Sequence, residues 1–154
     1  MKTKFGLNQE AVGELAELLE KGLADTYALY INTLNCHWNL EGPRFFFLHE
    51  MLQEQYEQLA KNGDEIAERI RQMGRKVPAS LSFFSEKSAL DPLDETLSTD
   101  EMLDALASSH EKIFRDLRAL SEKSDGHGDF GLTDLLGGLL RDHEKAAWML
   151  RSHL

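Results

Sequence analysis

Cysteine is almost absent from this chain of 154 residues, in which Cys36 is the only one. A lone thiol excludes an intramolecular disulfide, and it also excludes cysteine-rich zinc modules and iron–sulfur clusters, which need several thiolates. No apolar run is long enough to span a membrane, and the N-terminal residues contain no apolar core of signal-peptide length. The sequence therefore predicts a single domain over residues 1–154, and we expect a cytoplasmic location.

Basic residues are also in short supply, with 17 Lys and Arg against 27 Asp and Glu and a formal net charge of −10. This balance argues against a general affinity for DNA, RNA or anionic membranes, and it favours the attraction of cations. With 42% hydrophobic residues, the chain has enough apolar side chains to build a core.

Only three prolines interrupt the chain, and they separate long segments in which apolar residues recur with the helical period. The pattern predicts four long helices, a crossover at 75–98, and one short helix within that crossover near Leu81–Glu86. The long helices are expected from the N-cap Asn8 to His37, from Phe45 to Met73, from a capping box at Ser98 to Lys123, and from Asp129 to Ser152. One long crossover between the second and third helices indicates an all-α, ferritin-like four-helix bundle, in which the middle helices run parallel.

Most catalytic motifs are missing, including the P-loop, G-x-G-x-x-G, H-E-x-x-H and the Glu-x-x-His unit of di-iron sites inside ferritin bundles. One group of residues remains as a candidate site. His37 and His49 flank a Gly-Pro turn, and their imidazoles face each other if the first two helices are antiparallel. Asp64 and Glu68 lie four residues apart, on one face of the second helix. Two imidazoles and two carboxylates suit ferrous iron, and also zinc or manganese.

Distance prevents these four residues from binding one ion within one chain. His49 and Asp64 are fifteen residues apart on the same helix, which corresponds to about 22 Å. Their directions nevertheless differ by only about 60° around the helix axis. If all four residues are ligands, a second antiparallel copy of the helix is needed, and the sequence predicts an intersubunit site made twice by a two-fold dimer.

The pattern H-W-N-x-x-G-P-x-F-F-x-L-H at 37–49, followed by D-E-I-A-E-R at 64–69, resembles the Dps family, the DNA-binding proteins from starved cells. The resemblance covers nearly the whole chain. The spacing of His37, His49, Asp64 and Glu68 matches the ferroxidase ligands of that family. The resemblance implies a hollow shell of twelve identical subunits, with both histidines from one chain and both carboxylates from its two-fold neighbour.

The resemblance also implies the chemistry. Each site would bind two ferrous ions, oxidise them with hydrogen peroxide or dioxygen, and pass the ferric product to a mineral inside the shell. Zinc or manganese would compete for the site. Asp129 and Asp134, at the start of the last helix, match the acidic residues of the family's three-fold pore, although Asp129 is also expected to be the N-cap of that helix.

Two other functions are considered beside the ferroxidase shell. The first is a nucleoid DNA-binding stress protein with little oxidase activity. Family members that bind DNA commonly use a long Lys-rich tail, whereas here only Lys2 and Lys4 precede the first helix and the chain ends soon after the last one. The charge and the missing tail argue against direct DNA binding. The second is a shell that has lost its oxidase, and the intact ligand set argues against it.

The remaining candidate residues have simpler interpretations. Trp38 either contacts the site and intercepts radicals or packs at an interface, and the phenylalanines at 45–47 are interpreted as packing residues. Arg69 pairs with Glu65 or steadies Glu68. Cys36 is expected to be a buried, inert thiol. No ligand set is assigned to the other histidines, which are His110, His127, His143 and His153.

Overall fold

The computed structural model describes residues 6–154, and Lys2 and Lys4 lie outside that range. The described residues form five helices and no strand, which confirms the predicted all-α, ferritin-like bundle with a short helix in its crossover. The helices are α1 (Gln9–Asn39), α2 (Phe45–Gln72), α3 (Leu81–Lys87), α4 (Thr99–Gly126) and α5 (Phe130–Arg151).

The helix starts follow the predicted caps, whereas two helix ends lie two or three residues beyond the prediction and the other ends differ from it by one residue. The Asn8 carboxamide oxygen accepts a hydrogen bond from the backbone N–H of Ala11 at 2.7 Å, and Ser98 opens α4 with the predicted capping box. α1 continues two residues beyond the predicted His37. α4 continues to Gly126, because the positive φ that ends this stretch of chain (+74°) occurs at Gly128.

Ion pairs between helices establish their directions. Lys21 on α1 binds Asp116 on α4 at 2.8 Å, while Glu14, earlier on α1, binds Lys123, later on α4, at 2.5 Å. α1 and α4 are therefore antiparallel. α1 and α2 are also antiparallel, since a tight turn at Gly42 (φ +103°) connects them. It follows that α2 and α4 run parallel, as a single long crossover requires.

Polar side chains of α1 hold the crossover in place. The buried carboxylate of Asp25 accepts a hydrogen bond from the backbone N–H of Ala89 at 2.7 Å. Buried Asn32 donates to the carbonyl of Asp91 at 2.9 Å and accepts from the backbone N–H of Leu93 at 3.0 Å. These hydrogen bonds satisfy backbone groups of the crossover, which lie outside the helices and so have no helical partners.

The hydrophobic core lies between the four long helices. Each of them contributes leucines that are completely shielded from solvent, for example Leu15, Leu52, Leu106 and Leu136. In the described part of the chain, every helix is too short or too polar to cross a membrane.

Candidate metal centre

His37 and His49 meet beside the turn that joins α1 and α2. Their ring centroids are 3.8 Å apart, and the ring planes are inclined by only 16°. His37 lies near the end of α1 and is buried, while His49 lies near the start of α2 and is half-buried. The prediction that the two imidazoles face each other across antiparallel helices is confirmed.

Reciprocal hydrogen bonds fix the tautomer of the two rings. Nδ1 of His37 lies 2.9 Å from the backbone oxygen of His49, and Nδ1 of His49 lies 3.0 Å from the backbone oxygen of His37. A carbonyl oxygen only accepts, so both Nδ1 atoms carry the proton. In the neutral rings this leaves Nε2 with its lone pair, and a hydrogen bond at the other nitrogen orients a metal-binding imidazole.

Aromatic rings surround this pair. Phe45 stacks on His49 with centroids 5.0 Å apart, and Tyr56 meets His37 edge-on at 5.2 Å. Phe45 therefore packs on the histidine pair, as expected, with 43% of its surface still exposed. Trp38, Phe46 and Phe47 are more exposed in the single chain, at 67%, 68% and 72%. Large apolar side chains that face solvent beside a polar site are typical of an interface.

Asp64 and Glu68 lie one turn apart on α2, and both side chains are exposed. α2 is continuous from Phe45 to Gln72, so a rise of 1.5 Å per residue places Asp64 about 22 Å from His49. Within residues 6–154 of one chain, no three His, Cys, Asp or Glu side chains form a cluster that could hold a metal ion. The structure brings the two histidines together and leaves the two carboxylates at a distance, as the spacing requires.

Comparison with known proteins shows which family the chain belongs to. The model of the ferritin-like domain matches residues 16–154. DNA protection during starvation protein 2 of Bacillus anthracis is 35% identical over 92% of this chain and 97% of its own length. The chain belongs to the Dps family.

Two further similarities extend over nearly the whole chain. An uncharacterised low temperature-induced protein of Nostoc sp. is 37% identical over 99% of this chain and 87% of its own length. The crystal structure of a Dps protein from Vibrio cholerae O1 has a TM-score of 0.92 and 28% identity, covering 99% of this chain and 96% of that chain. That protein is described as a member of a superfamily of ferritin-like diiron-carboxylate proteins.

In this Dps chain, Asp129 connects α5 to the part of α2 that carries Asp64 and Glu68. Its side chain caps α5 by accepting from the backbone N–H of Leu132 at 3.0 Å, which confirms the predicted N-cap. The same oxygen lies 2.5 Å from the guanidinium of Arg69, the residue after Glu68, and both side chains are nearly buried. Asp134 is exposed. The contact between Arg69 and Asp129 was not predicted, because nothing local relates residues 60 positions apart.

Sequence reasoning also missed a second histidine pair, inside the bundle. Nδ1 of His110 on α4 lies 2.9 Å from Nδ1 of His143 on α5, and the rings are 2% and 1% exposed. Burial lowers the pKa of His143 to about 4. It also lowers the pKa of His110 well below its ordinary value, an effect to which the neighbouring His143 adds. Helical periodicity could have revealed this pair, because both histidines occupy positions that the apolar pattern of their helices assigns to the core.

Cys36 is not available as a ligand. Its side chain is 1% exposed, and burial raises the pKa of the thiol to about 12. The thiolate that binds metals or attacks oxidants is therefore absent at neutral pH. This agrees with the interpretation of Cys36 as a buried, inert thiol.

Proposed function

We propose that this Dps protein oxidises Fe(II) with hydrogen peroxide, or more slowly with dioxygen, and stores the ferric product in a hollow shell. The observation that carries the proposal is the His37–His49 pair. Each ring donates from Nδ1 to a backbone carbonyl, which leaves both Nε2 atoms for metal. Imidazole nitrogen combined with carboxylate oxygen suits Fe(II), and zinc or manganese would compete for the same donors.

The site is completed by a second subunit. Asp64 and Glu68 are exposed and lie about 22 Å from the histidines along α2, so they reach the histidines of a two-fold neighbour rather than those of their own chain. The exposed Trp38 and Phe46 beside the histidine pair give that neighbour an apolar surface to cover. Each dimer then contains two equivalent sites, and we expect six such dimers to form a dodecamer.

The proposed reaction consumes peroxide without releasing a radical. Two ferrous ions each give one electron, so that 2 Fe²⁺ + H₂O₂ + 2 H⁺ yields 2 Fe³⁺ + 2 H₂O. A site with few protein ligands leaves positions for the oxidant and lets the product move on. Iron would enter through a pore at the start of α5, where Asp134 offers an exposed carboxylate while Asp129 positions the helix end from within.

The name of the Bacillus anthracis relative refers to protection of DNA. Removing iron and peroxide would protect DNA without contact between the protein and DNA. A net charge of −10 in every subunit opposes the binding of phosphate. We therefore propose that direct coating of DNA is not the main role. A band retarded on a gel at low salt with the purified assembly would contradict this.

The experiment that tests the site is peroxide-driven oxidation of Fe(II) by a variant without the carboxylates. In Asp64→Ala/Glu68→Ala, we expect fast oxidation to be lost while the assembly persists, because the histidine half-site alone cannot hold two ions. Ferric absorbance after anaerobic loading of Fe(II) measures the rate, and size-exclusion chromatography with light scattering measures the assembly.

A matched control removes two exposed carboxylates elsewhere. Glu86→Ala/Glu95→Ala changes the charge by the same amount in the crossover region and leaves the proposed ligands intact. We expect wild-type kinetics from this control. Unchanged kinetics in Asp64→Ala/Glu68→Ala would refute the assignment of the site.

A further inference from the structure

All three tyrosines of the protein lie on the seam between α1 and α2. Tyr27 and Tyr30 belong to α1, and Tyr56 belongs to α2. Tyr56 follows His49 by seven residues, which is two helical turns, so both project from the same face of α2. The tyrosines therefore follow the same seam on which the histidine pair is built.

The tyrosine rings and the His37 ring form an unbroken row. His37 meets Tyr56 with centroids 5.2 Å apart and nearly perpendicular planes. Tyr56 meets Tyr30 at 6.0 Å, and Tyr30 meets Tyr27 at 6.4 Å, again edge to face. These are contact distances for aromatic rings. Electron tunnelling decreases exponentially with distance, so short steps between touching rings are much faster than one long step.

The far end of this tyrosine row lies beside the carboxylate half-site. An added Cβ at Gly63 would be 3.1 Å from the Tyr27 ring, so the ring packs directly on the backbone of α2 there. The next residue is Asp64. The row thus begins at the histidines that one subunit would offer to one iron site, and it ends against Gly63, the residue before the first carboxylate that the subunit would offer to the other site.

An iron site that holds only one ferrous ion needs another source for the second electron that peroxide requires. Peroxide requires two electrons to become water, whereas one ferrous ion supplies only one. If no second electron arrives, the O–O bond breaks to give hydroxide and a hydroxyl radical. A phenol gives up one electron together with its proton, and all three tyrosines are half-buried rather than sealed inside the core.

We propose that the tyrosine row supplies single electrons to the histidine half-site, so that a site holding one ferrous ion still reduces peroxide completely. This inference rests on the proposed ferroxidase function. The first step is Fe²⁺ + TyrOH + H₂O₂ + H⁺ → Fe³⁺ + TyrO• + 2 H₂O. The second is Fe²⁺ + TyrO• + H⁺ → Fe³⁺ + TyrOH, with the ferrous ion at either end of the row. The sum is the two-iron reaction, and no hydroxyl radical is released.

The test is freeze-quench electron paramagnetic resonance on the assembled protein, loaded anaerobically with less than one Fe(II) per site and mixed with peroxide. We expect a tyrosyl radical in the wild-type protein. In Tyr56→Phe its yield should fall several-fold, because phenylalanine keeps the ring contact with His37 but is much harder to oxidise, which interrupts electron transfer along the row. In Tyr30→Phe the radical on Tyr56 should form but decay more slowly, because electrons can no longer pass between Tyr56 and the Tyr27 end of the row.

Trp148→Phe is the control, since Trp148 is an exposed aromatic residue outside the row, and we expect the wild-type radical yield from it. Fast Fe(II) oxidation without a tyrosyl radical, or an undiminished radical in Tyr56→Phe, would overturn the role of the row and leave the ferroxidase intact. A wild-type protein that oxidises no Fe(II) would overturn both.

Discussion

The buried pair His110 and His143 predicts that mild acid destabilises the protein. The pKa of His143 is about 4 in the folded chain, against an ordinary value of 6.5. Between these values the unfolded chain binds a proton that the folded chain does not bind. Stability is therefore complete above pH 6.5 and decreases as the pH falls towards 4. The pKa of His110 is lowered in the same direction, so it adds to the loss.

The size of the effect follows from the difference between the two pKa values. The difference of 6.5 − 4 = 2.5 for His143 corresponds to about 3 kcal/mol once the pH is below both values, at 1.36 kcal/mol for each pH unit. At pH 5, about 2 kcal/mol of this is already lost. The two rings are in contact and the second proton is harder to add, so we do not expect the pair to lose twice that amount.

The assay is urea unfolding at pH 7.5 and at pH 5, at one subunit concentration because assembly contributes to stability. His110→Leu/His143→Leu is the comparison, since it replaces both rings with apolar residues in the same core positions. We expect the free energy of unfolding of the wild-type protein to fall by at least about 2 kcal/mol more than that of the variant, since His143 alone accounts for that amount. An equal fall in both proteins would refute the reasoning, because the remaining histidines and carboxylates are common to both.

Two further predictions concern contacts that hold the helices. Asp129→Ala removes the α5 cap and the nearly buried ion pair with Arg69, and should lower the free energy of unfolding in urea by about 3–5 kcal/mol. The control is Asp134→Ala at an exposed position, which should change it by less than about 0.5 kcal/mol. Equal losses in the two variants would contradict the argument from burial. Ser98→Ala removes the cap that Ser98 exchanges with Glu101 and should cost about 1 kcal/mol by the same assay, so an unchanged urea midpoint would count against the capping box.

The features that the sequence predicted well are local ones. Helical periodicity and caps such as Asn8 and Ser98 depend on residues within one or two turns, so they can be found without a partner. The approach of His37 to His49 is almost as local. A short turn between antiparallel helices places residues at similar distances from it side by side, and the stacked rings confirm that prediction.

The features that were missed depend on contacts between distant parts of the chain. Arg69 reaches Asp129 across 60 residues, although its close neighbours on α2 offered carboxylates of their own. His110 and His143, 33 residues apart, looked like isolated histidines until the packing of α4 on α5 brought them together. No spacing rule relates such pairs, because their distance is set by how whole helices pack.

The position of the proposed ligands along α2 makes the proposed activity depend on assembly. A helix that carried His49 and Asp64 on adjacent turns would allow one chain to build the site, and oxidation would then occur wherever a single subunit folded. With about 22 Å between them, each chain would hold half of two sites, and neither half offers the number of ligands that an iron pair needs. Under the proposed function, iron would therefore be oxidised only where two subunits meet, and the product would form where a shell exists to receive it.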